Sequence, residues 1–387
     1  MNPNITYIPR DIEKDILGSL NQGKVIIIYG PRRVGKTTLV KHVFEKEDQK
    51  YLYLDCEQNR IKNQLVPDEL RLKEVISDYK NIVLDEAQYL DNPGLVLKVL
   101  IDTFPHLNVL VSGSSSFELA GKVTEPLTGR SLHYYLLPFT WGELYQIYGP
   151  INSDFYIEQT LRFGSYPEVL QYVANDEKVN YLQLLAQDYL YKDILAFERV
   201  KDSKKLRDLL TALSLQLGSE VSYNELANIL GIDRKTVEYY LDLLEKTFVI
   251  FRLYPFSRNL RSEINRKVKI YFYDTGIRNA LINNFNDMDL RSDKGGIFEN
   301  FAISEIIKQN KNKLNKSNFY FWRTYQQKEI DLIEEKGGKL SGYEFKYGEG
   351  QKIPKATVAE FQKAYPGSKI KIVTRDNFTD TLKSLAD

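Results

Sequence analysis

Continuous apolar runs dominate the first third of the chain, whereas strict alternation of apolar and polar residues appears towards its end. Val25 to Tyr29 open the segment "KVIIIYGPRRVGKTTLVKHVF", followed by a Gly-bounded loop and an amphipathic helix. Ile82, Val83 and Leu84 form a second apolar run in "KNIVLDEAQYL", and "NVLVSGSSS" carries a third. Short apolar runs ending in turn residues predict strands buried on both faces of a parallel sheet. Between 151 and 200, apolar residues recur at i, i+3 and i+4 in "RFGSYPEVLQYV" and "LLAQDYLYKDILAF", which predicts helices. In "SEVSYNELANILGIDRKTVEYYLDLLEKTFVI", Ser222 caps a helix through Leu230, Gly231 and Ile232 turn the chain, and Asp233 caps a second helix from Arg234. Two helices joined by a short Gly-containing turn are a helix-turn-helix signature. Further on, "KATVAEFQKAYP" predicts a helix and "KIKIVTR" a core strand.

The loop after the first strand fits G-x-x-x-x-G-K-[ST], with Gly30, Gly35, Lys36 and Thr37 in place and Thr38 beside them. Glycines let successive backbone N–H groups turn inward around phosphate oxygens, and the following helix aims its positive dipole end at the same anion. Lys36 is expected to reach the terminal phosphates and Thr37 to coordinate Mg²⁺. The same chemistry asks for acids at the end of another buried strand. Asp85 would hold magnesium through its water shell, and Glu86 would polarise the attacking water. Ser114, in the polar cluster after the third strand, is placed to sense the terminal phosphate, although serines there are also ordinary turn residues. Arg130, in "LTGRSLHYYLLPF", is a candidate finger on a neighbouring subunit's phosphate, or a partner for a local carboxylate.

The stretch "KEIDLIEEKGGKLSGYEFKY", residues 328–347, reads as a hairpin around Gly337-Gly338. A two-residue turn there sets Asp331 opposite Glu344 and Glu329 opposite Lys346, with all four polar groups on one face. Carboxylates directly opposed repel, and a divalent cation between them would remove the repulsion. The alternative is a Glu329–Lys346 cross-strand salt bridge with Asp331 solvated.

Taken together, "GPRRVGKTT", "IVLDEAQYL", "VSGSSS" and "TGR...LPFTWGEL" resemble the AAA+-type P-loop ATPases of bacteria and archaea that carry a C-terminal restriction-endonuclease-like domain of unknown function. "FGSYPEVL" and "YLYKDIL" extend the resemblance over nearly the whole chain. The resemblance implies an additional-strand P-loop fold, catalysis by Glu86 and ATP as the nucleotide. The Asp331, Glu344-Phe345-Lys346 spacing also resembles the PD-(D/E)xK nuclease core, with Ile330 in place of its proline. By that resemblance Asp331 and Glu344 hold a metal, Mg²⁺ or alternatively Mn²⁺. Glu299, in "GGIFENFAISEIIKQ", adds a ligand, and Lys346 orients or deprotonates the attacking water.

The expected organisation is α/β throughout: a P-loop ATPase core over 1–150, a helical lid over 151–204, a winged helix over 205–284 and a nuclease-like α/β domain over 285–387. A 387-residue chain of 43% hydrophobic and 27% charged residues suits several globular domains. Its net charge of +1 says nothing about nucleic acid. Local charge says more: residues 252–269 and 301–328 each hold six basic side chains against one acidic, interleaved with aromatics. Arg234, Lys235 and Tyr239 on the second helix, with Arg258 and Arg261 beyond it, are the expected DNA contacts. A homo-oligomer, in the form of a hexameric ring, is expected from Arg130 and the resemblance. The single Cys56 excludes an internal disulfide framework, "MNPNITYIPR" has no apolar signal region, and "VIIIYG" is too short to span a bilayer. A cytoplasmic protein with no membrane partner is therefore expected. His42, His106 and His133 are scattered, so zinc is not. The function these features imply is ATP-driven DNA processing coupled to Mg-dependent cleavage. The alternative is a nucleotide-controlled switch, or a DNA-branch remodelling motor, that binds DNA or protein without cutting.

Overall fold

The computed structural model describes residues 7–45, 49–113, 127–189, 202–256, 267–314, 316–348 and 350–386. They fall into two compact units: residues up to Leu137 with Lys246–Phe248, and the remainder from Pro138 onward.

The first unit is built on five strands, β1 (Val25–Tyr29), β2 (Leu52–Asp55), β3 (Asn81–Asp85), β4 (Asn108–Gly113) and β5 (Ser131–Tyr135), in the order β2-β3-β4-β1-β5. All neighbours pair in parallel. The three central strands are buried at every position, whereas the edge strands β2 and β5 are only partly covered. The unbroken apolar runs are read correctly as strands because helices cover both faces. β4 lies between β1 and β3 as the additional strand, so the turns that follow β1 and β3 open at one end of the sheet. Ligands bind at that carboxyl end in open parallel sheets. Helix α1 (Lys36–Glu45) starts there and buries Leu39, Val40, Val43 and Phe44.

The second unit holds a seven-stranded sheet in the order β12-β11-β10-β9-β7-β8-β6. Its strands are β6 (Glu220–Val221), β7 (Ile250–Pro255), β8 (Val268–Phe272), β9 (Asn318–Arg323), β10 (Glu329–Lys336), β11 (Lys339–Phe345) and β12 (Lys369–Val373). β7 joins β9 in parallel through Tyr254–Tyr320 and Pro255–Phe321. The strands after the helix pair and the strands of the C-terminal hairpin are thus one continuous sheet. The β10–β11 hairpin turns at Gly337 and Gly338, with φ of 57° and 78°, the left-handed pair that a tight two-residue turn requires. Its register runs through Leu332–Tyr343 and Ile333–Gly342, as the Gly-Gly turn predicts.

Helix α2 (Ser203–Leu215) precedes β6, and α3 (Tyr223–Leu230) and α4 (Arg234–Lys246) follow it. Ser222 caps α3 by accepting from Glu225 N at 3.4 Å, and Gly231 ends it in the left-handed region. Val237, Tyr240, Leu241 and Leu244 form the buried stripe of α4. Residues 151–189 contribute α5 (Ser153–Phe163) and α6 (Asn175–Leu184), which belong to this second unit. Helix α7 (Thr275–Leu281) locks against α5. A Cβ on Gly276 would lie 2.2 Å from the Phe163 carbonyl oxygen, and Asn279 Nδ2 donates to the Leu161 and Arg162 carbonyls at 2.9 Å each. The long helix α8 (Lys294–Lys311) buries Ile297, Phe298, Phe301 and Ile303. Its Asn300 amide clasps both backbone groups of Phe272 at 2.8 and 2.9 Å, fixing α8 to the end of β8.

Candidate functional site

In the first unit the phosphate-loop residues meet the acids of β3. Gly30 follows β1 where a Cβ would sit 2.0 Å from the Leu136 carbonyl oxygen, so only glycine fits. Gly35 has φ of 91°, which again favours glycine. Lys36 is 5% exposed, and its ammonium donates to the carbonyls of Gly30 at 3.0 Å and Pro31 at 2.9 Å. Thr37 Oγ1 donates to Asp85 Oδ2 at 2.6 Å, and Thr38 is exposed beside it. The Asp85 carboxylate also accepts from the hydroxyls of Tyr53 and Ser112. Glu86 occupies the left-handed region, φ 53° and ψ 47°. Its backbone N–H donates to Ser112 Oγ at 3.1 Å, and its carboxylate accepts from the Gln88 amide. A hydroxyl and a carboxylate face each other beside a buried ammonium, the donor set that suits a magnesium–triphosphate group. Ser114 lies outside the described residues.

Arg130 stands elsewhere. Its carbonyl accepts from Val25 N at 2.9 Å, at the amino end of β1, and its guanidinium pairs with Asp102 at 2.8 Å. The phosphate loop leaves the carboxyl end of the same strand, about 13 Å away at ~3.3 Å per residue. Arg130 is therefore at the opposite end of β1 from the phosphate loop of its own chain.

The second unit gathers four carboxylates and two lysines where the hairpin meets β8. Asp331 and Glu344 are each 8% exposed. Asp331 Oδ2 accepts from Phe345 N at 2.9 Å. Burial and the charges of Glu299 and Glu344 push its carboxyl well above the usual carboxylate range. Lys346 Nζ pairs with Glu344 Oε1 at 2.9 Å, while Glu344 Oε2 is buried without a partner. Glu329 pairs with Lys269 and with Arg323, not with Lys346 as the hairpin face suggests. The register of β10 against β9 shifts between Ile330 and Ile333, which turns Glu329 towards β8.

Lys269 and Tyr271 are the residues that sequence reasoning missed. They lie on one face of β8, two apart, and both are fully buried. Lys269 Nζ lies 3.4 Å from Glu299 Oε1 and ion-pairs with Glu329. Tyr271 donates to the same Glu299 oxygen at 2.7 Å. Gly218 backs that carboxylate, since a Cβ there would lie 2.8 Å from Glu299 Oε2. The available signal was a lysine in a strand, "VKIYF", otherwise made of apolar and aromatic residues. Glu299 is thus committed to protein donors. Among the described residues no group of three or more His, Cys, Asp or Glu side chains is arranged to hold a metal ion. Lys269 and Tyr271 occupy the Glu299 oxygen that a cation shared with Asp331 and Glu344 would use.

Arg234 and Lys235 are exposed at the amino end of α4, with Tyr239 half-buried further along. The acids of that helix are ion-paired: Glu238 pairs with Arg234 at 2.8 Å, and Asp242 and Glu245 share Arg252 of β7. Arg258 and Arg261 lie outside the described residues.

Residues 22–145 match a family model described as an AAA domain. Residues 155–288 and 294–384 match two domains of unknown function, DUF8612 and DUF4143. An uncharacterized protein of Mycobacterium tuberculosis is 28% identical over 344 residues, covering 87% of this chain and 73% of that protein. One of Methanocaldococcus jannaschii is 26% identical over 326 residues, covering 79% and 71%. Among solved structures, the Walker-type ATPase of Pyrococcus abyssi superposes with a TM-score of 0.50 at 17% identity, covering 71% of this chain and 96% of that one. That likeness is one of fold. The motif geometry and the AAA-domain match over residues 22–145 together support a P-loop ATPase core in the first unit and, with it, ATP hydrolysis. Among the described residues no helix is long and apolar enough to cross a membrane.

Proposed function

We propose that the chain is an ATP-driven switch or motor whose second unit engages DNA without cutting it. In the ATPase domain, Lys36 exchanges the Gly30 and Pro31 carbonyls for the terminal phosphates. Glu86 polarises the attacking water, held in aim by the Gln88 amide and the Ser112 hydroxyl. Thr37 and Asp85 would hold magnesium, which would supply charge neutralisation on the triphosphate. Arg130 serves the neighbouring copy's phosphate in a homo-oligomer, for which a hexameric ring is the proposed form. Residues 205–284 act as a winged helix, with Arg234, Lys235 and Tyr239 towards the groove.

The observation that carries the non-cleaving reading is the burial of Lys269 among Glu299, Glu329 and Asp331. An ammonium and a divalent cation compete for one set of carboxylates, and the ammonium is covalently present. Cleavage by the hairpin is the second reading. It is favoured by Glu344 Oε2, a buried acceptor with no donor.

An endpoint assay with labelled linear, branched and single-stranded DNA decides between them. It is run with Mg²⁺ or Mn²⁺, with and without ATP, beside Lys36→Ala and Glu344→Ala. The expected result is ATP hydrolysis lost in Lys36→Ala, DNA binding, and intact DNA throughout. Cleavage that disappears in Glu344→Ala would overturn the non-cleaving reading and establish the nuclease.

A further inference from the structure

A cleft of about 440 Å³ opens beside α5 and α6, away from the carboxylate centre and from α4. Its walls are aromatic. Tyr148 and Tyr156 stack with centroids 3.5 Å apart and planes 3° apart, and Phe155, 59% exposed, meets Tyr156 edge-on. Phe163 forms the floor, with the Arg162 guanidinium 4.9 Å and the Lys178 ammonium 5.0 Å from its ring. Arginine and lysine line the cleft, and among the described residues no aspartate or glutamate does.

The charge is uncompensated on one side only. Arg162 pairs with Asp287 and donates to the Phe285 carbonyl at 3.2 Å. Among the described residues Lys178 has a single polar partner, the neutral Gln159 amide oxygen at 3.0 Å. A half-buried ammonium whose described polar partner is a neutral amide favours an anion at the mouth. The exposed Phe155 ring beside it favours a planar π-system.

We infer that this cleft binds a nucleotide unit, the base stacked on Phe155 and the phosphate at Lys178. The unit belongs either to a free nucleotide or to a single strand of nucleic acid. The inference deepens the DNA-binding reading in the second case and is independent of it in the first.

The test is fluorescence polarisation of a labelled dT12 strand in EDTA. The full-length Lys36→Ala variant is used, so that the phosphate loop takes no part. Phe155→Ala and Lys178→Glu are compared in that background, with Arg234→Ala/Lys235→Ala as a separate arm. Competition by AMP and by duplex DNA is measured alongside. The expected result is that Phe155→Ala and Lys178→Glu each weaken dT12 binding about tenfold, the scale of one lost base–aromatic stack. Competition by AMP at the concentration at which it binds alone would assign the cleft to free nucleotide. Competition only by strands would assign it to nucleic acid. If both variants melt like the parent and shift dT12 and AMP affinity less than twofold, the inference is overturned. Loss of binding in the Arg234→Ala/Lys235→Ala arm alone would leave the helix face standing as the DNA surface without this cleft.

Discussion

Lys269 and Glu329 form an ion pair inside the second unit, the lysine side chain only 1% exposed and the carboxylate 25%. One residue belongs to β8 and the other opens the hairpin strand β10, so the pair ties the two halves of the continuous sheet. Removing the ammonium leaves Glu329 held by Arg323 and Glu299 by the Tyr271 hydroxyl, so the cost lies below that of breaking a fully buried pair. Lys269→Met is therefore expected to lower stability by about 1–3 kcal/mol, read from urea midpoints. In the Lys36→Ala background, saturating Mn²⁺ is expected to restore part of the loss in Lys269→Met and none in the parent. Equal stabilisation of both by Mn²⁺ would show that the ammonium does not exclude a cation.

Asp331 gives the centre a pH dependence of definite sign. Its carboxyl is raised in the folded state, by burial first and then by Glu299 and Glu344. Between the ordinary carboxylate value and the raised one, the folded chain binds more protons than the unfolded chain. Stability from this group therefore falls as pH rises through that window. Asp331→Asn keeps an oxygen for the Phe345 N–H and removes the charge. The variant is expected to be more stable than the parent at pH 7, with the difference shrinking towards pH 4, by denaturant titration at both values. A difference that grows on acidification would reject the assignment.

Much of this was legible because it is local. Gly30 to Thr37 combine strand, loop and helix within one short segment, and the Gly337-Gly338 turn fixes the register of Leu332 to Lys336 by counting. Thr37 meeting Asp85 follows from two motifs whose chemistry demands each other. Lys269 was illegible because it arrives from a strand distant in sequence from both Glu299 and Glu329. Its burial depends on β7 pairing with β9, a contact that no periodicity announces. The register shift between Ile330 and Ile333 is likewise a three-strand property. It redirects Glu329 from Lys346 to Lys269, and two strands read alone cannot show it.

Glu86 carries the hydrolytic step in the proposed mechanism, and its geometry separates chemistry from binding. It sits one residue beyond Asp85 in the left-handed region, with its N–H on Ser112 and its carboxylate on the Gln88 amide. Glu86→Gln is expected to lose about 10²- to 10⁴-fold in ATP turnover, the range of a general base. Affinity for a fluorescent ATP analogue is expected to stay within about threefold of the parent. A variant that binds weakly and turns over normally once saturated would remove Glu86 from the chemistry.

Arg130 tests the assembly. Its pair with Asp102 leaves both side chains about half exposed, at 44% and 42%, and such a pair contributes at most about 1 kcal/mol. Stability therefore offers little reason for an arginine here, and the sheet puts it at the wrong end to reach its own phosphate loop. As a finger on a neighbouring copy it would be worth about 10³-fold in turnover. Arg130→Ala is expected to lose turnover on that scale with a melting temperature close to the parent's. The parent's specific activity is expected to rise with protein concentration as copies associate, a dependence that Arg130→Ala lacks. Activity per chain that is constant from nanomolar to micromolar protein, and unchanged in Arg130→Ala, would leave Arg130 as the partner of Asp102 and nothing more.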